Sequence, residues 1–183
     1  MMKIGILSDT HNNLYNLRAA LDIFAREGIE TLIHCGDMTE AKTALVMQGF
    51  RVIAAFGNGD IASGEIRQAL LELNPENFAG LVFTGKIGDS MIAVTHGHIP
   101  GKVEELVESG EYDFVFKGHS HRHQDSPFGD TRLARLTRLI NPGSLGGLKP
   151  EPRSVCVLDL TTGEARFIEL PGKPASTRPT LST

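Results

Sequence analysis

The chain has 183 residues, and its 18 Lys and Arg against 22 Asp and Glu give a formal charge of −4 at neutral pH. Its hydrophobic fraction of 40% and charged fraction of 22% are typical of a globular domain and exclude intrinsic disorder for the bulk of the chain. The acidic balance provides no attraction for a nucleic-acid backbone or an anionic membrane. We expect one domain over residues 1–170 and a proline-rich tail over 171–183.

The cysteines and the first residues bear on the cellular compartment. Cys35 and Cys156 lie in separate apolar runs, which predicts reduced core thiols rather than a disulfide. No apolar stretch approaches membrane-spanning length, and residues 1–8 are too short a run for a signal peptide. These features predict a cytoplasmic protein without a membrane anchor.

The first half of the chain alternates short apolar runs with helical patterns. Strands are predicted at 3–8, 31–34 and 51–55, and helices at 14–24 and 41–47. Asn12 or Asn13 is a candidate N-cap of the first helix, and Gly28 is placed to end it. This βα alternation indicates a parallel sheet covered by helices.

The second half has a different pattern. Apolar runs at 81–84 and 91–95, separated by a glycine-containing segment, predict an antiparallel hairpin. A helix is predicted at 102–109, and further strands at 114–116, 153–158 and 165–170. Two sheets packed face to face and flanked by helices would accommodate all these elements.

Polar residues of metal-binding type follow five of the predicted strands. They are Asp9-Thr10-His11, His34-Cys35-Gly36-Asp37, Gly57-Asn58-Gly59-Asp60, Thr95-His96-Gly97-His98 and Gly118-His119-Ser120-His121. Loops at the carboxyl ends of strands converge on one crevice, and Asp, Asn and His together suit divalent ions such as Mn, Fe, Zn or Ni. The pattern therefore predicts a metal centre at the strand ends.

The spacing of His119 and His121 favours two ions rather than one. In an extended segment, residues two apart point to one side and lie about 7 Å from each other. Each histidine could then bind one of two ions that are about 3.5 to 4 Å apart, as in two-metal hydrolytic sites. A carboxylate such as Asp37 could bridge the pair.

In their order along the chain, these motifs resemble those of the calcineurin-like metallophosphoesterases. More narrowly, His96-Gly97-His98 and Asn141-Pro142-Gly143-Ser144 resemble a small bacterial and archaeal phosphodiesterase group that also includes a subunit of the retromer complex. The resemblance runs from Lys3 to about Leu170. It implies a four-layer αββα sandwich in the α/β class, with two mixed sheets packed face to face.

The resemblance also implies a ligand set and a reaction. One ion would be held by Asp9, His11, Asp37 and His121, and the second by Asp37, Asn58, His96 and His119. The implied reaction is hydrolysis of a small phosphodiester by a water or hydroxide that two divalent ions activate. Mn is the first expectation for the metal, with Fe, Zn, Ni or Co as alternatives, and a homodimer is compatible with the resemblance.

The chain departs from the superfamily at Gly59, where many members carry a histidine that contacts the scissile phosphate or its leaving group. His98 or His123 could supply that function instead, and His98 is the first candidate. Asp60 is also assigned to the catalytic set, because it could orient Asn58 or accept a hydrogen bond from a ligating imidazole.

Several interpretations stay open at this stage. The same fold could serve as a protein-binding scaffold, or the enzyme could be a phosphomonoesterase. Core packing is the favoured role of His34 and Cys35, and Asn141-Pro142-Gly143-Ser144 is either a turn or a phosphate contact. A solvated face is favoured for three arginines spaced by three, which are Arg132, Arg135 and Arg138.

Overall fold

The computed structural model describes residues 2–129, 136–147 and 151–171, which form eleven strands and four helices. In chain order these are β1 (Lys3–Leu7), α1 (Leu14–Arg26), β2 (Thr31–His34), α2 (Ala41–Leu45), β3 (Arg51–Ala55), α3 (Ser63–Leu73), β4 (Phe78–Gly80), β5 (Val82–Ile87), β6 (Ser90–Thr95), α4 (Lys102–Glu108), β7 (Phe114–Phe116), β8 (Gln124–Phe128), β9 (Thr137–Asn141), β10 (Arg153–Asp159) and β11 (Ala165–Leu170).

The strands form two mixed sheets. The six-stranded sheet has the order β11-β10-β1-β2-β3-β4, and the five-stranded sheet has the order β5-β6-β7-β9-β8. Strands β1 to β4 are parallel in the first sheet, as are β6, β7 and β9 in the second. Parallel pairing brings the carboxyl ends of these strands to one edge of each sheet, where their loops meet.

The core is divided into three layers of apolar side chains. Ile6 and Ile33 of one sheet and Val94 and Phe116 of the other fill the space between the sheets. Helices α1, α2 and α3 cover the outer face of the first sheet, and α4 covers the outer face of the second through Leu106 and its neighbours. The predicted αββα sandwich is confirmed.

Helix α1 matches the sequence pattern closely. The side chain of Asn13 accepts a hydrogen bond from the Asn16 amide at the N-cap, and Gly28 follows the last turn with φ +69°. Leu17, Leu21 and Phe24 are buried on one face of the helix. Their spacing provides the apolar stripe that packs the helix against the sheet.

The hairpin is tighter than the sequence predicts. Strands β5 and β6 pair from Val82↔Thr95 to Ile87↔Ser90, so the turn contains only Gly88 and Asp89. Gly88 has φ +57°, a conformation that glycine adopts without a steric penalty. Helix α2 is shorter than predicted and ends at Leu45.

Four elements have no counterpart in the sequence prediction: α3, β4, β8 and β9. Strand β8 is largely polar, contains Pro127 and lies at the edge of its sheet, so it lacks the apolar signal of a buried strand. Helix α3 buries only Ile66, Ala69 and Leu70, which is a narrow stripe.

The remaining predictions concern termini, arginines and membranes. Arg132, Arg135 and the tail beyond Pro171 lie outside the described residues, so the domain boundary stays a prediction. Arg138 pairs with Asp125 through two hydrogen bonds of 2.6 Å and contacts the Gly163 carbonyl. Within the part of the chain that the structure describes, no helix is long and apolar enough to cross a membrane.

Candidate metal centre

The loops that follow β1, β2, β6 and β7 bring carboxylates and imidazoles together at one edge of the sandwich. Oδ1 of Asp9 lies 3.2 Å from Nε2 of His121 and 3.9 Å from Nε2 of His11. Its other oxygen, Oδ2, accepts hydrogen bonds from the Ser8 hydroxyl at 2.6 Å and the His119 amide at 3.1 Å. One oxygen of Asp9 is therefore engaged by the chain, and the other faces two histidines.

Asp37 divides its oxygens in the same way. Oδ1 accepts a 2.7 Å hydrogen bond from the Gly59 amide. Oδ2 lies 3.5 Å from Nε2 of His96 and 3.8 Å from Nε2 of His11. A single carboxylate oxygen therefore stands between histidines from two different sheets.

Two groups of candidate ligands share Asp9. Ligand atoms of Asp9, His11 and His121 lie within 4.8 Å of one another, and the same holds for Asp9, Asp37 and His96. The sequence had suggested Asp37 as the residue common to both ions. The structure gives Asp9 a comparable central position.

The hydrogen bond of His96 defines which of its nitrogens is free. Nδ1 lies 2.7 Å from the Cys35 carbonyl, which can only accept, so Nδ1 carries the proton. Nε2 then keeps its lone pair and lies 3.3 Å from Nδ1 of His119. A carbonyl behind the imidazole is the support that commonly fixes the tautomer of a metal-binding histidine.

Buried polar atoms at this edge fit a divalent ion. Among the described residues, Oδ1 of Asp9, Nε2 of His11 and Nδ1 of His121 are buried without a hydrogen-bond partner. Leaving such atoms unpaired is costly, and a cation would satisfy the first two, which face the same space. The donor set of carboxylate oxygen and imidazole nitrogen suits a transition-metal ion.

The protonation states also suit metal binding. Burial opposes the ionised form of Asp9, but the nearby His121 imidazole and the hydrogen bond from Ser8 outweigh it and lower the pKa of the carboxyl below its usual value. Burial lowers the pKa of His11 against the opposing effect of Asp37 and Asp9. A carboxylate and a neutral imidazole are the forms that bind cations.

Backbone strain is concentrated in the same loops. All seven non-glycine residues with positive φ among the described residues lie here, and five are candidate ligands. The seven are Asp9, His11, Asn12, Asp37, Thr39, His119 and His121. Side chains other than glycine rarely adopt this conformation, and it clusters at functional sites.

The geometry of His119 and His121 differs from the prediction. Their φ angles of 68° and 64° show that the segment is not extended. His121 nevertheless faces Asp9 at 3.2 Å and His119 faces His96 at 3.3 Å, so the two imidazoles do serve different neighbours. The separation arises from left-handed turns and not from strand alternation.

Asp60 contacts backbone amides rather than Asn58 or an imidazole. Its Oδ2 accepts from the amides of Asp37 at 2.9 Å and Gly57 at 2.7 Å, and its Oδ1 accepts from Thr39 at 2.7 Å. The carboxylate therefore joins the loops after β2 and β3. Among the described residues Asp60 makes no hydrogen bond with Asn58 or an imidazole, and its place in the catalytic set stays a prediction; the hydrogen bonds that it accepts hold the backbone beside Asp37.

Asn58 and Gly59 lie in the loop that Asp60 holds. Asn58 is exposed, and its side chain makes no hydrogen bond with the described residues. A Cβ atom at Gly59 would lie 2.9 Å from Oδ1 of Asp37, and one at Gly57 would lie 2.1 Å from it. A side chain at position 59 would require the Asp37 carboxylate to shift.

His98 and His123, the two candidates to replace a histidine at position 59, lie in different surroundings. The ring of His98 is half-buried with its centroid 5.5 Å from that of His96, and burial, with His96 and His119 nearby, lowers its pKa. His123 is exposed, and its ring packs on Phe167 with the centroids 5.1 Å apart. The His98 ring is the one of the two that lies against the ring of a candidate ligand, His96.

His34 does more than fill the core. Its Nδ1 accepts from the Gly36 amide at 3.1 Å, so its Nε2 carries the proton and donates to the Thr10 hydroxyl at 2.8 Å. Burial lowers the pKa of His34 to about 4, which keeps the ring neutral. His34 thereby connects the loop of Asp9 to the loop of Asp37.

The segment from Asn141, at the end of β9, to Gly146 is a further support that sequence reasoning did not assign. Asn141 donates to the Gly118 carbonyl at 2.9 Å and to the Ser120 hydroxyl at 3.0 Å. Ser144 and Gly146 both donate to the Asp9 carbonyl, at 3.1 Å and 2.8 Å. The signal was the Asn-Pro-Gly-Ser run, whose polar side chains hold the ligand loops.

The fold and the site together define a metallophosphoesterase. A family model described as the calcineurin-like phosphoesterase superfamily domain matches residues 2–163, and the chain belongs to that superfamily. This class comprises hydrolases of phosphoric esters that use divalent metal ions.

More specific relatives agree with this assignment. The chain is 34% identical over 171 residues to a phosphodiesterase of Methanocaldococcus jannaschii, covering 92% of this chain and 99% of the relative. A solved archaeal phosphodiesterase is similar with a TM-score of 0.85 and 34% identity, over 92% of this chain and 100% of its own. A phosphoesterase of E. coli, 20% identical, shares the fold with a TM-score of 0.62 over 92% and 99% of the two chains.

Proposed function

We propose that this protein is a phosphodiesterase that hydrolyses a small phosphodiester with two divalent ions. The observation that carries the proposal is Oδ2 of Asp37, which lies 3.5 Å from His96 and 3.8 Å from His11. An oxygen in that position can serve two ions while the other oxygen of the carboxylate is held by Gly59. Further support comes from the archaeal phosphodiesterases that are 34% identical to the chain.

The proposed ligands form two sets. Asp9, His11, Asp37 and His121 would hold one ion, and Asp37, Asn58, His96 and His119 the other. Mn²⁺ is the first proposal for the metal, with Fe, Zn, Ni and Co as alternatives, since the oxygen and imidazole donors accept all of them. Divalent ions bound here supply positive charge for the phosphoryl oxygens and make a bound water more acidic.

Other residues act through position or by contact with substrate. His34, Asp60 and Asn141 fix the loops through the hydrogen bonds described above, so that the ligand atoms keep their spacing. His98 is proposed to contact the phosphate or the leaving oxygen, because its ring lies beside that of His96 and is half-buried. No histidine at position 59 is then needed.

The function is tested with metal-stripped protein to which each divalent ion is added back separately. Hydrolysis of bis(p-nitrophenyl) phosphate is compared with that of p-nitrophenyl phosphate, which separates a diesterase from a monoesterase. Asn58→Ala and His96→Ala should abolish metal-dependent hydrolysis, while Lys86→Ala, an exposed change on β5, should retain it. Full activity in either of the first two variants contradicts the ligand scheme, and inactivity with every ion favours a scaffold.

The remaining proposals concern the cellular compartment, the size of the substrate and the oligomeric state. We propose a cytoplasmic protein, supported by two free cysteines that are both buried. Its net charge of −4 supports a small substrate rather than a nucleic-acid backbone. A homodimer is compatible with the family, and light scattering after size-exclusion chromatography tests it.

A further inference from the structure

A pocket of about 240 Å³ lies directly beside the candidate metal centre. It is lined by His121, Arg122, His123, Glu151 and Pro152. His121 connects it to the centre, because the same imidazole faces Asp9 at 3.2 Å. A substrate whose phosphate lies at the ligand atoms would therefore have this pocket within reach of its ester groups.

The lining of the pocket includes planar groups. His123 is exposed, and Phe167 supports its ring at a centroid distance of 5.1 Å and an angle of 36°. The Arg122 side chain is 78% exposed and donates through Nε to Glu151 at 3.3 Å, which leaves its terminal nitrogens and its plane accessible. An imidazole, a guanidinium and a proline ring are surfaces on which a planar group can stack.

The pocket has room for a ring. An enclosed cavity of about 150 Å³ binds benzene. This pocket of about 240 Å³, which opens to solvent, is therefore large enough for one planar ring system.

The position of the pocket distinguishes the two ester groups of a diester. Phosphoryl transfer keeps the attacking and leaving oxygens roughly in line. An attacking water that starts among the ligand atoms puts the leaving oxygen on the far side of phosphorus. The pocket is lined by His121, one of those ligands, so it adjoins the side from which the water would attack and not the side to which the leaving oxygen would depart.

We propose that this pocket binds an aromatic ester group that remains on the phosphate, with His123 and Arg122 as specificity-determining residues. The inference rests on the proposed phosphodiesterase function and names its substrate class as diesters that carry a planar ring on the retained side. A nucleobase and a simple aryl group share this chemistry, and substrates of both kinds distinguish them.

The kinetic test uses diesters with one leaving group and different retained groups. Phenyl p-nitrophenyl phosphate and thymidine 5′-(p-nitrophenyl phosphate) carry a retained ring, whereas methyl p-nitrophenyl phosphate carries none. The wild type should favour a ring, and His123→Ala and Arg122→Ala should each reduce kcat/KM about tenfold for that ester and leave the methyl ester unchanged. His123→Phe should keep the preference, and Lys86→Ala is the control.

Equal losses on ring and methyl esters, or no loss on any, overturn the pocket assignment. A binding measurement tests the pocket independently of the proposed phosphodiesterase function. The ring protons of His123 should shift in NMR spectra of the Zn²⁺-loaded protein on titration with diphenylphosphinate, which has no ester bond, and not with dimethylphosphinate. Equal shifts or none with both compounds overturn the pocket. Absence of hydrolysis with every ion overturns the proposed function instead, and the titration still decides the pocket.

Discussion

The amide of Gly59 donates a 2.7 Å hydrogen bond to Oδ1 of Asp37, so only Oδ2 of that carboxylate faces the histidines. The Asp37 carboxylate therefore lies close to the position that a side chain at residue 59 would occupy. A residue introduced at 59 acts on the candidate metal centre through Asp37.

Gly59→Ala and Gly59→His should both weaken metal binding roughly tenfold or more, because Cβ would stand 2.9 Å from Oδ1 of Asp37. Isothermal titration calorimetry with Mn²⁺ measures the change. Gly64→Ala in α3 is the matched control, since a Cβ there meets no atom within 4 Å. Unchanged affinity in Gly59→His would contradict the argument and restore a histidine as a tolerated substitute.

Asp60→Ala should lower the free energy of unfolding by about 2 kcal/mol or more, because it leaves three amides without their acceptor. Metal affinity should fall as Asp37 loses its support, while kcat at saturating metal changes little. Urea unfolding and metal-dependent kinetics measure these effects. Asp89→Ala, at an exposed turn, is the control. A large fall in kcat at saturating metal would instead make Asp60 a catalytic residue.

His34 should make stability fall in mild acid. Its folded pKa of about 4 lies below the ordinary value of 6.5, so the folded state takes up the proton less readily than the unfolded chain. The contribution is fully present above pH 6.5 and is lost as the pH falls towards 4.

Urea unfolding of metal-free protein at pH 7 and pH 5 measures this effect. His34→Gln should show a smaller loss of stability between these pH values than the wild type does. The exposed His123→Gln should behave like the wild type. Identical pH dependence in His34→Gln and wild type would show that the imidazole is not protonated on unfolding.

Both thiols should be unreactive in the folded protein. Burial raises the pKa of Cys35 well above its ordinary value and that of Cys156 to about 12, so little thiolate exists at pH 8. Reaction with 5,5′-dithiobis(2-nitrobenzoate) should proceed only after guanidinium is added, with both thiols then titrating. Rapid reaction of either thiol in native buffer would show that the segment around it opens locally.

The strand-end motifs could be predicted because polar residues stand out directly after apolar runs. The family resemblance assigned Asp9, His11 and His121 to one ion together with Asp37, and ligand atoms of the first three lie within 4.8 Å of one another. The supports of these residues could not be found in this way. Backbone amides donate to Asp60, and the Cys35 carbonyl accepts from His96, but a sequence pattern does not show which amides or carbonyls face a side chain.

Irregular structure limited the prediction in the same way. The extended geometry assumed for His119 and His121 is the default for residues that follow a strand, and the left-handed turns depend on tertiary contacts such as the 3.1 Å bond from the His119 amide to Asp9. Strand β8 is placed by pairing with β9, and Pro127 weakens its local signal. Local composition does not show which strands pair over a long sequence separation.

The left-handed backbone of the ligand loops has a consequence for how the centre fills. Each such residue costs about 1 kcal/mol or more, and five candidate ligands carry this cost. Neighbours that contact no ion, including Asp60 and Asn141, hold the loops in that shape. Folding of the sandwich therefore orders the loops that carry the candidate ligands. An ion would bind to side chains that are already in place. The same hydrogen bonds therefore stabilise the fold and support metal binding.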